Sequence, residues 1–382
     1  MLFKRDSLKI PVMSKNVLKF RLEALRSRLE QLNLDGCLIT CPENRRYLSG
    51  FTARDEFPES SGLLLICRDS QWLLTDFRYL EWARSEVRDF EVAVYHGPVG
   101  ATLAGLLAGR PKSRLGFEAS YLTYRGHQRL LKAFAEAGVK AQWLPQEGMV
   151  EPLRAVKHPE EVEAMRRALA LTETVLETVA AGLAPGVTEA EVAWEIERRF
   201  KEMGAEGSAF APIVAAGPNS ARPHHQPGDY RLQEGEPIII DLGARVAGYC
   251  ADLTRTYILG PPDEHFQKIY RLVRRAQARA EAGIRAGMNS QAADALAREV
   301  IAEAGYGEAF GHSLGHGVGL AVHEAPALSP LKERAGELKA GSIVTVEPGI
   351  YLTGWGGVRL EDMALIHEDR CEVLTKTGFY EW

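Results

Sequence analysis

Apolar residues follow two spacings along this chain. From Leu18 to Leu34, Phe20, Leu22, Leu25, Leu29 and Leu32 recur every three or four positions, which predicts an amphipathic helix closed by Asp35-Gly36. Short apolar runs follow at 37–40, 62–67, 71–75 and 90–95, each the length of a buried strand, and helical spacing returns at about 77–88, 99–109 and 121–138. That alternation predicts an N-terminal α/β domain over residues 1–150. Pro159 then opens a long helix, with Glu160, Glu161 and Glu163 at its positive N-terminal end, so the boundary is expected near 145–158. Residues 151–382 read as helices backing an antiparallel sheet, an α+β unit.

This second unit reads as a duplication. GLAPGVTEAEVA, from Gly182, is answered by GIRAGMNSQAAD, from Gly283, and EMGAEGSAF, from Glu202, by EAGYGEAF, from Glu303, both at an offset of 101. Thr188 with Glu191 forms a capping box at one helix start, and Ser290 is expected at the matching start. Each half reads as helix, Gly-rich connection, helix, loop, hairpin. Two such units are expected around a pseudo-twofold axis.

The two hairpins carry the acidic residues. In EGEPIIIDLGARVAGYCADLTRT, a two-residue turn at Ala247-Gly248 places Asp241 opposite Thr254 and on the same face as Asp252. In KAGSIVTVEPGIYLTGWGGVRLEDMAL, a loop centred on Gly354 places Glu347 opposite Glu361. Four carboxylates brought together by the duplication require a cation to neutralise them. His316, between Gly315 and Gly317 in GHSLGHGVGLAVHE, is a fifth expected ligand, the glycines allowing close backbone approach.

One imidazole with four carboxylates is a hard donor set, suited to two Mn²⁺-like ions about 3.5–4 Å apart rather than a structural zinc. Two divalent ions, Mn²⁺ first with Co²⁺ or Zn²⁺ as alternatives, are the expected cofactors. Such a pair activates water at neutral pH and polarises a carbonyl, as amide hydrolysis requires. His224, His312 and His323 lie in or near the same loops, placed to orient a carbonyl or move a proton.

Composition excludes some alternatives. The 382 residues favour two domains, and a net charge of −5 offers no footprint for nucleic acid or an anionic membrane. No apolar run approaches the ~20 residues of a membrane span, and the charged start MLFKRDSLKIPVMSKN is no secretory leader. Five cysteines without paired spacing (Cys37, Cys41, Cys67, Cys250, Cys371) fit a reducing compartment, so a cytoplasmic protein is expected.

IIIDLGARVAGYCADLTRT, GHSLGHGVGLAVHE, TVEPGIY and GVRLED together resemble the pita-bread metallopeptidases, the family of methionine aminopeptidase, aminopeptidase P and prolidase. PNSARPHH around His224 and the preceding α/β domain resemble the proline-specific branch. The resemblance covers residues from about 152 to the end. It implies a curved antiparallel sheet with duplicated helices, and two metals held by Asp241, Asp252, His316, Glu347 and Glu361. It further implies Glu347 as general base, with His224, His312 and His323 on substrate and Arg359 and Tyr351 bracing the ligands. The implied activity is hydrolysis of the Xaa-Pro bond of dipeptides or short peptides by a homodimer. One departure stands out: prolidase-like members often carry an arginine just after the equivalent of His323-Glu324, and HEAPALSP has none. Arg222 is the substitute to be placed. A metal-free creatinase-like hydrolase and a catalytically inactive binding module are the rival readings.

Taken singly, many of these residues have plainer explanations. An aspartate beside glycine on a strand usually serves a turn, and matched repeats carry the metal reading instead. His225 is expected as a solvated neighbour of His224, and Cys250 as packing. Arg45-Arg46 and Arg54-Asp55-Glu56 are expected as surface or subunit-contact charges, and Trp72, Tyr79 and Trp82 as core.

Overall fold

In the computed structural model, which describes residues 14–55, 61–110 and 112–382, the chain forms two units, one ending at Arg154 and the other spanning Ala155–Trp382. The charged start at 1–13 and Glu56 lie outside the described residues.

The N-terminal unit begins with α1 (Lys15–Gln31), which buries Val17, Leu18, Leu22, Leu25 and Leu29. Phe20, expected on that stripe, faces solvent instead at 66% exposure. The next position, Arg21, takes the buried face by donating to the Tyr47 carbonyl at 2.9 Å. A six-stranded sheet follows, built from β1 (Gly36–Ile39), β2 (Leu63–Cys67), β3 (Gln71–Thr75), β4 (Glu91–Val94), β5 (Ser113–Glu118) and β6 (Ala141–Gln146), in the order β4-β3-β2-β1-β5-β6. Strands β5 and β6 carry no continuous apolar run, and Pro145 is tolerated because β6 is an edge strand.

Helix α2 (Pro42–Ser49) was not predicted, because its eight residues PENRRYLS lack an apolar period. Glu118, at the end of β5, fixes its start by accepting from the Thr40 and Cys41 amides and from Asn44 Nδ2 at 2.5, 2.6 and 2.6 Å. Arg45 is fully buried, correcting its assignment as a surface charge: it donates to the Gly62 carbonyl, Ser61 Oγ and the Ala53 carbonyl. Trp72 is buried as expected, whereas Trp82 is 46% exposed. Helices α3 (Leu80–Glu86), α4 (Val99–Leu106), α5 (Tyr124–Glu136) and the short α6 (Glu151–Ala155) complete the order.

The C-terminal unit repeats one plan. In the first half α7 (Pro159–Ala180) and α8 (Glu189–Glu202) precede β7 (Gly207–Ser208), β8 (Ile213–Ala216), β9 (Pro237–Leu242), β10 (Ala244–Val246), β11 (Tyr249–Cys250) and β12 (Leu253–Ile258). In the second, α9 (Glu264–Gly283) and α10 (Ser290–Glu303) precede β13 (Gly315–Gly317), β14 (Glu324–Leu328), β15 (Ile343–Val346), β16 (Gly349–Leu352), β17 (Gly356–Arg359), β18 (Asp362–Ile366) and β19 (Cys371–Val373). This is a pita-bread fold. Thr188 closes its capping box with Glu191, but the matching cap is Asn289, at the repeat offset, whose side chain accepts from the Gln291 amide. Ser290 is the first helical residue, and its hydroxyl accepts from the Gly336 amide.

The helices hold the hairpins from behind. Thr172 of α7 accepts from the Ala244 amide at 2.9 Å, and Gln277 of α9 donates to the Val346 carbonyl at 3.2 Å. Ile269, Val273, Ala276 and Ala280 of α9, with Ala297 and Ile301 of α10, pack on Val344, Val346, Val358 and Ala364 of the second hairpin.

Candidate active site

The first hairpin turns at Ala247 and Gly248, both at positive φ (56° and 79°), as a two-residue type I′ turn requires. The register follows, with Asp241 opposite Thr254. Gly243 marks the bend between β9 and β10: a Cβ there would lie 1.9 Å from the Ala251 carbonyl oxygen, so no other residue fits. Asp252 sits just past that crossing, at the start of β12. In the second hairpin, Val346 pairs with Asp362 and Gly349 with Arg359, so Glu347 and Glu361 lie opposite each other where the ladder opens around Pro348.

The two hairpins dock through β12. The Glu361 amide donates to the Thr254 carbonyl at 3.1 Å, and Thr254 Oγ1 donates to Glu361 Oε2 at 2.7 Å. Arg255 clamps the same seam by donating to the Thr254 and Glu361 carbonyls and to Asp362 Oδ1 at 3.0, 2.6 and 2.8 Å. His316 enters from β13 beneath Thr345, whose hydroxyl accepts from the His316 amide and donates to Glu347 Oε1. The flanking glycines are needed: a Cβ at Gly315 or Gly317 would come within 2.1 or 2.3 Å of the Thr345 or Ala325 carbonyl oxygen.

Asp252, His316 and Glu361 each offer a ligand atom within 4.8 Å of the other two. His316 Nε2 lies 3.3 Å from Glu347 Oε1 and 3.7 Å from Asp252 Oδ2. Its Nδ1, 3.1 Å from the Gly317 carbonyl, must donate there, which aims Nε2 at the carboxylates, where it carries a proton in the metal-free protein and would offer a lone pair to a metal on losing it. Asp241 Oδ2 accepts from Arg359 Nη2 at 2.6 Å, while its buried Oδ1 has no hydrogen-bond partner among the described residues. An orphaned carboxylate oxygen beside an imidazole nitrogen aimed at the carboxylates is a donor set that a divalent ion would complete.

The charges in the cluster constrain one another. Burial raises the pKa of Asp252 well above the ordinary carboxylate value, and the neighbouring Glu361, Asp241 and Glu347 charges push the same way. Glu361 is raised well above its ordinary value too, by burial and then by Glu347 and Asp241. Burial also raises Asp241, against the opposing pull of Arg359. Glu347 goes the other way: burial would raise it, but the hydrogen bond and charge of His316, then His312 and Arg359, hold it down to about 2. His316 is raised, its carboxylate neighbours outweighing burial.

A cleft of about 420 Å³ opens over the cluster and includes all five acidic and imidazole groups. His224, His312 and His323 line it, with Phe210, Ala211, Ile213, Pro223 and Ala327 as apolar wall. The His323 and His316 rings lie 4.0 Å apart between centroids, tilted at 42°, and burial followed by the His316 charge lowers the His323 pKa. His312 Nδ1 donates to the Ser313 carbonyl at 2.8 Å, so Nε2 accepts from the Tyr351 hydroxyl at 3.0 Å. Tyr351 in turn accepts from Arg359 Nη1 at 3.0 Å, so His312, Tyr351 and Arg359 form one chain ending on Asp241.

Other expectations fare differently. His225 is no solvated neighbour: its Nε2 lies 2.8 Å from the buried Glu189 carboxylate, tying the His224 loop to α8. Arg222 is exposed and is not among the residues lining the cleft. Arg334, in the short turn Lys332–Arg334, lines it instead and escaped the sequence reading because it stands eleven positions beyond His323. Arg255 and Thr345 also escaped, since their partners are distant in sequence or set by the fold.

The geometry can be set beside known proteins. Residues 163–368 match the model of metallopeptidase family M24, and residues 21–156 that of the creatinase/prolidase N-terminal domain. The Xaa-Pro dipeptidase of Pyrococcus furiosus is 35% identical over 360 residues, spanning 94% of this chain and 99% of the relative. Among solved structures, the Xaa-Pro dipeptidase from Bacillus anthracis superposes with a TM-score of 0.88 at 37% identity, covering 95% of this chain and 99% of that one. The X-Pro aminopeptidase from Thermotoga maritima gives 0.81 at 35%, covering 92% and 99%. With a duplicated acidic cluster inside a matched region of more than half its length, the chain belongs to metallopeptidase family M24.

Proposed function

We propose that this chain is a dinuclear metallopeptidase that cleaves the Xaa-Pro bond of dipeptides and short peptides. The observation that carries the reading is one cleft holding four carboxylates and His316 with three further histidines around it. Asp241, Asp252, His316, Glu347 and Glu361 would hold two divalent ions, and the oxygen-rich donor set favours Mn²⁺. When bound, such ions polarise the scissile carbonyl and lower the pKa of water.

The protein's own groups supply the rest. Glu347, one of the carboxylates in the cleft, accepts the proton of the attacking water. A prolyl nitrogen carries no hydrogen and must be protonated as the bond breaks; His323, at the cleft wall, relays to it the proton that Glu347 took from water, and His224 flanks the same space. The His312–Tyr351–Arg359 chain fixes Asp241 in place. The wall of Phe210, Ile213 and Ala327 excludes water beside the pyrrolidine ring. Arg334 takes the role of the arginine missing after Glu324, offering a guanidinium to the free carboxylate of a dipeptide.

Residues 151–382 are proposed as the catalytic domain and 1–150 as the accessory one, in a homodimer. A cytoplasmic location is supported by five free thiols, four of them buried. Among the described residues, no helix is long and apolar enough to cross a membrane.

The test is a panel of Ala-Pro, Ala-Pro-Ala and Ala-Ala with the protein loaded in turn with Mn²⁺, Co²⁺ and Zn²⁺. Cleavage of the prolyl substrates with negligible turnover of Ala-Ala is expected. Equal kcat/KM for Ala-Pro and Ala-Ala would return the chain to a general aminopeptidase, and no turnover of any peptide with metal bound would support a binding module.

A further inference from the structure

Beside the cleft the catalytic unit buries an ion pair that the chemistry above does not use. Lys157 Nζ lies 2.8 Å from Glu324 Oε1, and the two side chains are 0% and 5% exposed. Lysine and glutamate are almost never buried so completely unless paired, and such a pair adds little to stability over apolar residues of similar size. Its value must be sought in what it positions.

Glu324 directly follows His323 and begins β14. His323 is the bend residue immediately before that strand, so holding the Glu324 side chain in its buried place fixes the backbone from which His323 enters the cleft. The anchor is tight. Glu324 Oε2 accepts from the Ala321 amide at 3.4 Å, and a Cβ on Gly319 would lie 2.3 Å from Oε1, so the carboxylate rests against glycine backbone. Lys157 is itself fixed, its amide donating to the Gly341 carbonyl at 2.9 Å and its Nζ to the Ala155 carbonyl at 3.3 Å. The other end of the 318–323 loop is held by the first hairpin: the Cys250 amide donates to the Gly319 carbonyl at 2.8 Å, and Arg245 Nη1 to the Leu320 carbonyl at 3.0 Å. The His323 imidazole, by contrast, has no hydrogen bond among the described residues. Its backbone and the His316 ring, 4.0 Å away between centroids, place it.

We propose that Lys157 and Glu324 are positioning residues for the reaction set out above: a buried ionic strut that sets His323 beside His316 where it can pass a proton to the leaving nitrogen. The inference rests on the Xaa-Pro reading for the role of His323.

The test is a double-mutant cycle in the metal-loaded full chain. The paired neutral variant Lys157→Met/Glu324→Gln avoids the lone buried charge that either single change leaves, and so keeps the fold. It is expected to lower kcat on Ala-Pro by about 10- to 100-fold, the scale of a catalytic group misplaced by about 1 Å, with KM and metal content unchanged. In a His323→Ala background the same pair should change kcat by less than about 2-fold, because the positioned group is gone. A loss that persists in full in that background overturns the proposal, as does an unchanged kcat in the paired variant. Should Ala-Ala prove to be cleaved as well as Ala-Pro, the Xaa-Pro reading fails while the cycle is read on Ala-Ala. If no peptide is turned over, a crystal structure of the paired variant decides: a displaced His323 ring supports the strut, and a ring still 4.0 Å from His316 overturns it.

Discussion

Stripping the metal from this protein should make it more stable in mild acid than at neutrality. Asp252 and Glu361 place carboxylate oxygens within 4.8 Å of each other, which at an effective dielectric of about 20 amounts to roughly 3–4 kcal/mol of repulsion when both are ionised. Protonating one of them at pH 7, against an unfolded pKa near 4, costs about 4 kcal/mol, and only about 1.5 kcal/mol at pH 5. Both folded pKa values are raised, so the native state holds a proton that the unfolded chain releases. Stability therefore rises as pH falls from above the folded pKa towards the unfolded one, with a slope of up to about 1.4 kcal/mol per pH unit for one proton. From pH 7 to 5 the gain is roughly 2–3 kcal/mol. His312 and His323, whose pKa values burial lowers, oppose it below about pH 6.5. They cancel when wild type is compared with Asp252→Asn, which removes the shared proton. The assay is urea unfolding of EDTA-treated wild type and variant at pH 5, 6 and 7. Asp252→Asn should be the more stable protein at pH 7, its advantage shrinking by roughly 2 kcal/mol at pH 5, whereas metal-loaded wild type should lose stability towards pH 5 as protons displace the ions. An advantage that is flat across this range, or that grows in acid, refutes the reasoning.

His323→Ala should lower kcat on Ala-Pro by about 10²-fold with metal content unchanged, measured by steady-state kinetics beside elemental analysis. Arg334→Ala should raise KM for Ala-Pro roughly 10-fold, the worth of one charge-assisted hydrogen bond, and leave Ala-Pro-amide unaffected. Gly243→Ala forces a Cβ onto the Ala251 carbonyl and should cost about 1–3 kcal/mol in unfolding and weaken metal affinity in calorimetric titration.

The local order of this chain was legible because it is written locally. Turn residues Ala247 and Gly248 set the register that faces Asp241 with Thr254, and the pairs on either side of Pro348 place Glu347 opposite Glu361. The 101-residue repeat gave the helix–hairpin plan, with even its slip informative: Asn289, not Ser290, stands at the offset from Thr188. Apolar period failed where burial is polar. Arg21 and Arg45 lie inside because carbonyls meet their guanidinium groups, and no periodicity of hydrophobic residues records that. The interrupted β5 and β6 and the eight-residue α2 escaped for the same lack of period.

What the sequence determined by itself was the spacing of the acidic pairs within each hairpin and the glycine-flanked His316, the five candidate ligands that the structure brings to one cleft. Tertiary structure alone decided how the two halves meet, because Thr254 serves Glu361 and Arg359 serves Asp241 across more than a hundred residues of chain. It also decided that Arg334 rather than Arg222 lines the cleft, and that Glu324 is held by Lys157, 167 positions away. Contacts of that range follow from the docking of whole elements, and a strand's own residues specify its register but not its neighbour's side chains.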